Sequence, residues 1–177
     1  MSKPKFATVW LDGCSGCHMS FLDMDELLIE LAGKIDLVYS PLVDAKEFPP
    51  DVDITLVEGA VSSEEDLHKI RAVRAHTKLL VSLGDCAITA NVPAMRNPFP
   101  VKAICDRAYR ENATLAQGTP NEVIPRLLSY ARPVHEVVHV DVYVPGCPPA
   151  ASVIYFALSE LLAGRQPELS ALTRFGA

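Results

Sequence analysis

Phe6-Ala7-Thr8-Val9-Trp10-Leu11-Asp12-Gly13-Cys14-Ser15-Gly16-Cys17-His18-Met19-Ser20-Phe21 changes character in its middle. Phe6 to Leu11 is an almost unbroken apolar run, as long as a buried strand. A loop with two glycines and a C-x-x-C pair follows. Beyond it Phe21, Met24, Leu27, Leu28 and Leu31 recur at helical spacing, which predicts a helix over 20–31. Strand, glycine-bearing loop and helix in succession form the repeating unit of a parallel α/β sheet.

The same alternation continues along the chain. Ile35 to Tyr39 reads as a second strand, and Pro41, Pro49 and Pro50 mark the loop after it. Ile54 to Val57 is a third strand, ending at Glu58-Gly59. Ser62-Ser63-Glu64-Glu65 reads as a capping box made by Ser62 and Glu65, opening a helix that runs to about Ala75. Leu79 to Leu83 is a fourth strand and leads straight into Gly84-Asp85-Cys86. Prolines punctuate 91–121, where a short helix is expected over 102–111. A long irregular stretch in a compact domain serves function or an interface. A helix is expected over 122–131. A fifth strand over 137–144 ends at Pro145-Gly146-Cys147, and Pro148 and Pro149 suit the first turn of a helix that continues through 150–162. Strands apolar on both sides belong in a parallel sheet covered on both faces. The expected fold is a flavodoxin-like doubly wound α/β sheet, a single domain over 1–177. In such sheets ligands collect beyond the carboxyl ends of the strands.

The chain has 177 residues and a formal net charge of −6, with a pI near 5.3. That length suffices for one domain with a full core. An acidic chain without Lys/Arg blocks is a poor ligand for nucleic acid or an anionic membrane face. The most apolar stretch, Val153 to Ala163, is interrupted by Ser159 and Glu160 and is too short to span a bilayer. Without a signal-peptide pattern the expected location is the cytoplasm, where thiols stay reduced. An odd count of five cysteines also argues against a disulfide framework. The mean hydropathy of +0.18 is high enough to point to a face covered by another subunit.

Four cysteines fall just past strand ends: Cys14 and Cys17 as a pair, then Cys86 and Cys147, about 70 and about 60 residues further on. Glu58 sits at the same edge. Four thiolates hold a four-iron four-sulfur cluster or a structural zinc. Zinc ribbons carry two C-x-x-C knuckles and this chain has one, so a zinc-stabilised structural subunit ranks second. A thioredoxin-like dithiol ranks third, because it leaves Cys86 and Cys147 without a role. Binding of FMN at the same edge ranks low, because the cysteine loops take up the phosphate site. Gly13, Gly16, Gly84 and Gly146 can take positive φ and bring backbone N–H groups up to the sulfurs. His18 is placed to donate to a cluster sulfur or to pack at an interface. Glu58 is a candidate proton carrier or interface acid. Asp12 and Asp85 are expected to hold loop backbone through their side chains. Cys105 reads as a buried helix thiol. Nothing in the chain reads as a Ser-His-Asp array, a phosphate loop or a dinucleotide fingerprint, so no complete active site is expected.

The segments Gly13-Cys14-Ser15-Gly16-Cys17-His18-Met19-Ser20, Val57-Glu58-Gly59, Gly84-Asp85-Cys86-Ala87 and Pro145-Gly146-Cys147-Pro148-Pro149 together resemble the small subunit of nickel–iron hydrogenases. The likeness is greatest to the cytoplasmic, bidirectional, NAD-reducing type. The resemblance implies that Cys14, Cys17, Cys86 and Cys147 ligate one proximal four-iron four-sulfur cluster, with Glu58 as the nearby acid. It implies a large subunit holding the nickel–iron centre, and diaphorase subunits holding further iron–sulfur clusters, FMN and the NAD site. The chain would then relay electrons as one subunit of a hydrogen:NAD oxidoreductase. With only Cys105 left over, too few thiols remain to hold more clusters, and the chain resembles the short, single-cluster type. The related subunit of respiratory complex I has adjacent cysteines where this chain has C-x-x-C, which favours a hydrogenase. Another cytoplasmic hydrogenase or a complex I-like oxidoreductase is the alternative within the same relay.

Overall fold

A computed structural model of the chain describes residues 3–115 and 118–176. Five parallel strands form the main sheet: β1 (Lys5–Trp10), β2 (Asp36–Tyr39), β3 (Val52–Glu58), β5 (Thr77–Leu83) and β7 (Val142–Val144). They lie in the order β2-β1-β3-β5-β7. Counted within this sheet alone the order is 2-1-3-4-5, the flavodoxin-like doubly wound arrangement that the alternation predicts. The central strand β3 is buried at every position but Asp53, as expected of a strand covered on both faces.

Alternate residues of these strands feed two apolar layers. Phe6, Ile54, Leu56, Val81 and Leu83 pack against Phe21, Leu31, Ile154 and Leu158. These come from α1 (Gly16–Leu22), α2 (Glu26–Lys34) and α7 (Ala151–Leu162). Phe6 and Phe21 stack with ring centroids 5.9 Å apart. On the other face Val9, Val57 and Leu80 meet Ile70 and Val73 of α3 (Glu64–Ala75) and Ala87 of α4 (Asp85–Thr89).

Four strands stop on one line. Trp10 pairs with Glu58, Glu58 with Leu83, and Leu83 with Val144. The loops after β1, β5 and β7 therefore leave the sheet at one level, with Glu58 in the row between them.

Several local expectations change. The helix expected over 20–31 is two helices broken at Asp23–Asp25. Acidic side chains oppose the dipole at a helix C-terminus and favour it at an N-terminus, so this acidic group ends α1 and opens α2. The cap of α3 is Ser63 with Asp66, not Ser62 with Glu65. The stretch expected to be helical over 122–131 instead carries β6 (Leu127–Arg132), antiparallel to the short β4 (Val61–Ser63). Pro125 lacks the N–H that a helix interior requires there. The fifth strand of the main sheet is only three residues long. Asp141 N–H still donates to Leu80 O at 2.9 Å, but Leu80 N–H goes to the Asp141 carboxylate at 2.8 Å, which also pairs with Arg74 at 2.6 Å, so a side chain takes one of the bonds that the backbone ladder would use before Val142. The helix over 102–111 is α6 (Val101–Asp106) continued by a π turn over Arg107–Glu111. Together with α5 (Asn91–Ala94), these elements enclose an apolar hollow of about 780 Å³ lined by Val92, Met95, Phe99 and Ile104. Residues 116 and 117 of the irregular stretch lie outside the described ones.

The cap assignment has a direct test by denaturant titration. Ser63→Ala is expected to lower the unfolding free energy by about 1 kcal/mol with an unchanged m-value. The larger loss falling on Ser62→Ala would contradict it.

Candidate functional site

Each site residue owes its place to the strand before it. Cys14 lies in the loop after β1 and Cys17 in the first turn of α1; Cys86 opens α4 after β5; Cys147 follows β7. The four thiols come together. A negative charge on Cys14, Cys86 or Cys147, or on Glu58, makes Cys17 harder to ionise, and the sulfurs of Cys14 and Cys147 act likewise on Cys86. Burial is the largest cause of both shifts. It pushes Cys17 far above the ordinary thiol range, and raises Cys86 against a backbone hydrogen bond from Val92 that pulls the other way. Cys14 and Cys147 are exposed, while Cys17 is buried. Asn91 Nδ2 donates to Cys147 Sγ over 3.6 Å. Among the described residues no group of three or more His, Cys, Asp or Glu side chains stands close enough to hold a single metal ion.

Two glycines are required by geometry. Gly84 has φ +80°, and a Cβ there would stand 2.2 Å from Cys17 Sγ. Gly146 has φ +138°, and a Cβ would stand 2.5 Å from Pro149 Cα. Gly13 and Gly16 do not take positive φ as expected; Ser15 does, at φ 62°. They serve close approach instead. A Cβ on Gly16 would lie 3.2 Å from Cys14 Sγ, and one on Gly13 3.3 Å from Gly59 Cα.

Glu58 and His18 form a buried pair. Glu58 Oε2 accepts His18 N–H at 2.8 Å and is also held by His18 Nδ1. Nε2 of His18 is buried with no hydrogen-bond partner among the described residues. His18 therefore orients the acid, a role its position beside Cys17 does not reveal. Glu58 is only 2% exposed, so it is not the solvated acid that a strand end usually carries.

Asp85 and Asp12 divide as acceptor and bridge. Asp85 carboxylate accepts Gly146 N–H and Gly176 N–H, each at 2.7 Å, while Asp85 N–H donates to Gly146 O at 2.9 Å. Asp12 acts through its main chain, exchanging two backbone bonds with Ala60 at 3.0 and 2.7 Å. Ser20 Oγ donates to Pro149 O at 2.5 Å and ties α1 to the Cys147 loop. The partner of Ser20 is 129 residues away, too remote for any local signal. Cys105 is half-buried on α6 and stands apart from this group, not the fully buried thiol expected.

Residues 14–161 match the family described as NADH ubiquinone oxidoreductase, 20 Kd subunit. The chain is also 42% identical, over 98% of its length and 86% of the relative's, to NAD-reducing hydrogenase HoxS subunit delta of Cupriavidus necator. The chain belongs to the family of NAD-reducing hydrogenase small subunits. Within this family the fold is closely kept. A chain of the crystal structure of NAD+-reducing nickel–iron hydrogenase in the H2-reduced state superposes with a TM-score of 0.93 at 41% identity, covering 98% of this chain and 99% of that one. A subunit of the F420-non-reducing hydrogenase of Methanocaldococcus jannaschii is 36% identical over 93% of this chain, which spans only 58% of that relative's length.

Thiol alkylation reads the electrostatics directly. In metal-free protein near pH 8, Cys14 and Cys147 are expected to label first and Cys17 last. A raised pKa keeps that thiol protonated at a pH where an ordinary thiol, near 8.5, is partly ionised. Gly84→Ala is expected to displace the Cys17 side chain, bring it into the fast-labelling group and cost about 2 kcal/mol of stability. Unchanged labelling of Cys17 in that variant would show that Gly84 does not hold the sulfur in place.

Proposed function

We propose that Cys14, Cys17, Cys86 and Cys147 hold one four-iron four-sulfur cluster, and that the chain is the electron-transfer small subunit of an NAD-reducing nickel–iron hydrogenase. The observation that carries the reading is the convergence of four thiols from three loops at one sheet edge, where charge on any of the other three raises the cost of ionising the buried Cys17. Such a set is stabilised by a group that carries positive charge to all four sulfurs at once. A cube of four irons is several ångströms across and needs its cysteines further apart than a single ion does. Zinc ribbons carry two C-x-x-C knuckles and this chain has one, which favours the cube over zinc. The cradle fits as well: glycine at 84 leaves room for Cys17 Sγ, and the unpartnered Nε2 of His18 is a buried group still to be satisfied.

When bound, the cluster supplies one-electron transfer between the nickel–iron site of a large subunit and a diaphorase module with further iron–sulfur clusters, FMN and NAD. The chain's own residues do the rest. Cys14, Cys17, Cys86 and Cys147 ligate. Val92 N–H and Asn91 Nδ2 donate to two of the sulfurs and favour their anionic form. Glu58 and His18 keep a carboxylate and an imidazole beside Cys17, placed to hold or pass a proton. Trp10 and Met19, 42% and 62% exposed beside the site, offer apolar surface to a partner subunit. Residues 1–177 act as one domain, working in the cytoplasm, where the five free thiols stay reduced. No helix of the described residues is long and apolar enough to cross a membrane.

The test is purification with native partners, followed by iron, nickel, zinc and flavin analysis. Four irons assignable to this chain, with nickel and FMN in the assembly, are expected; zinc in place of iron would overturn the reading. Cys86→Ala is expected to abolish cluster loading and hydrogen-dependent NAD reduction in the assembled enzyme. Normal activity in that variant would remove Cys86 from the ligand set.

A further inference from the structure

Beyond α7 the chain turns back over the sheet edge. Glu160 accepts from Arg165 at 2.7 Å, which fixes the turn. Leu169 is 7% exposed and packs into the apolar layer with Leu158 and Leu161. Leu172 and Thr173 N–H groups both return to Leu169 O, at 2.9 and 3.1 Å. Two further bonds leave this segment, and both end on cysteine loops. Thr173 Oγ donates to Pro145 O at 2.6 Å, two residues before Cys147. Gly176 N–H donates to Asp85 Oδ2 at 2.7 Å, one residue before Cys86.

Asp85 is the knot. Its carboxylate is 5% exposed, and the groups donating to it are backbone N–H groups: Gly146 on one oxygen and Gly176 on the other. A buried carboxylate held in this way is costly to move, because each lost bond leaves an ionised oxygen or a buried N–H unpaired. Gly146 N–H to Asp85 Oδ1 and Asp85 N–H to Gly146 O form a reciprocal clamp between the Cys86 and Cys147 loops. The second oxygen of the same carboxylate is taken by the returning segment.

We propose that residues 165–176 form a strap that locks the Cys86 and Cys147 loops to each other. Thr173 and Gly176 are then positioning residues acting through Pro145 and Asp85 on the two sulfurs contributed singly. The inference rests on the four-cysteine cluster reading for its consequence, though not for its geometry. Cys14 and Cys17 share one loop and are kept together by the chain itself. Cys86 and Cys147 share no loop, and without a tie their separation would follow the motion of two turns. The strap supplies that tie from outside, and Leu169 supplies its anchor in the core. It also keeps water from the buried Gly146–Asp85 contact, and water reaching the cluster stabilises the more negative reduced state.

The experiment uses the assembled holoenzyme carrying Thr173→Val, which removes the hydroxyl donor at nearly constant volume, and separately Asp85→Asn. Backbone hydrogen exchange, iron content and the cluster's midpoint potential by electron paramagnetic resonance titration are read on each. Thr173→Val is expected to speed exchange about tenfold at Gly146, Cys147 and residues 173–176 while leaving 12–18 unchanged, and to shift the midpoint potential upward with iron retained. Asp85→Asn, which keeps one acceptor, is expected to speed exchange in the same segments and to lose part of the iron. Exchange at Gly146 and Cys147 unchanged in both variants would overturn the strap. So would faster exchange confined to 173–176 with an unshifted potential. Iron absent from the unmodified holoenzyme would defeat the cluster reading, and the exchange result would still decide the strap.

Discussion

The hydrogen-bond register of the parallel sheet is the constraint on which the site depends. Trp10, Glu58, Leu83 and Val144 lie in one row across four strands. Because parallel ladders fix each strand's level against its neighbour, the three loops that carry cysteines start at the same height. A slip of one residue in any pair would turn that strand's inward side chains to the opposite layer, and would also move a sulfur by a full residue rise. The two apolar layers enforce the register, so the core that stabilises the fold also sets the spacing of the thiols.

That arrangement places acidic and ionisable groups where burial opposes charge. Cys17 lies among three other thiols and a buried carboxylate, and its ionisation is resisted by all of them. Burial, the largest cause, and these neighbours all favour the neutral thiol of Cys17. The buried carboxyl groups are met by fixed donors: Glu58 by His18, and Asp85 by two glycine N–H groups. On the proposed cluster reading, a group carrying positive charge would relieve this opposition and release protons from the sulfurs it binds.

The parts of this structure legible in the sequence are those with short-range signals. Apolar strands ending in Gly-Cys or Gly-Asp-Cys point to the sheet, its parallel sense and the common edge of Cys14, Cys17, Cys86, Cys147 and Glu58. The departures have physical sources. Helical spacing through Asp23 and Asp25 hides a break that the helix dipole demands. Around Pro125 the apolar neighbours suggest a helix where the chain forms β6. Two adjacent serines and three consecutive acids leave the cap of α3 ambiguous by one residue. Contacts between distant segments carry no local signal at all: His18 on Glu58, Ser20 on Pro149, and Thr173 and Gly176 on the cysteine loops. Each joins residues at least 28 apart in the chain.

The central claim is that one edge of one sheet brings four sulfurs to a single polynuclear centre. Diffraction from the assembled enzyme at wavelengths on either side of the iron absorption edge measures it directly. The account predicts four resolved iron peaks, each bonded to one of Cys14, Cys17, Cys86 and Cys147. A lone metal peak, or an iron set from which any of these four sulfurs is missing, would contradict it.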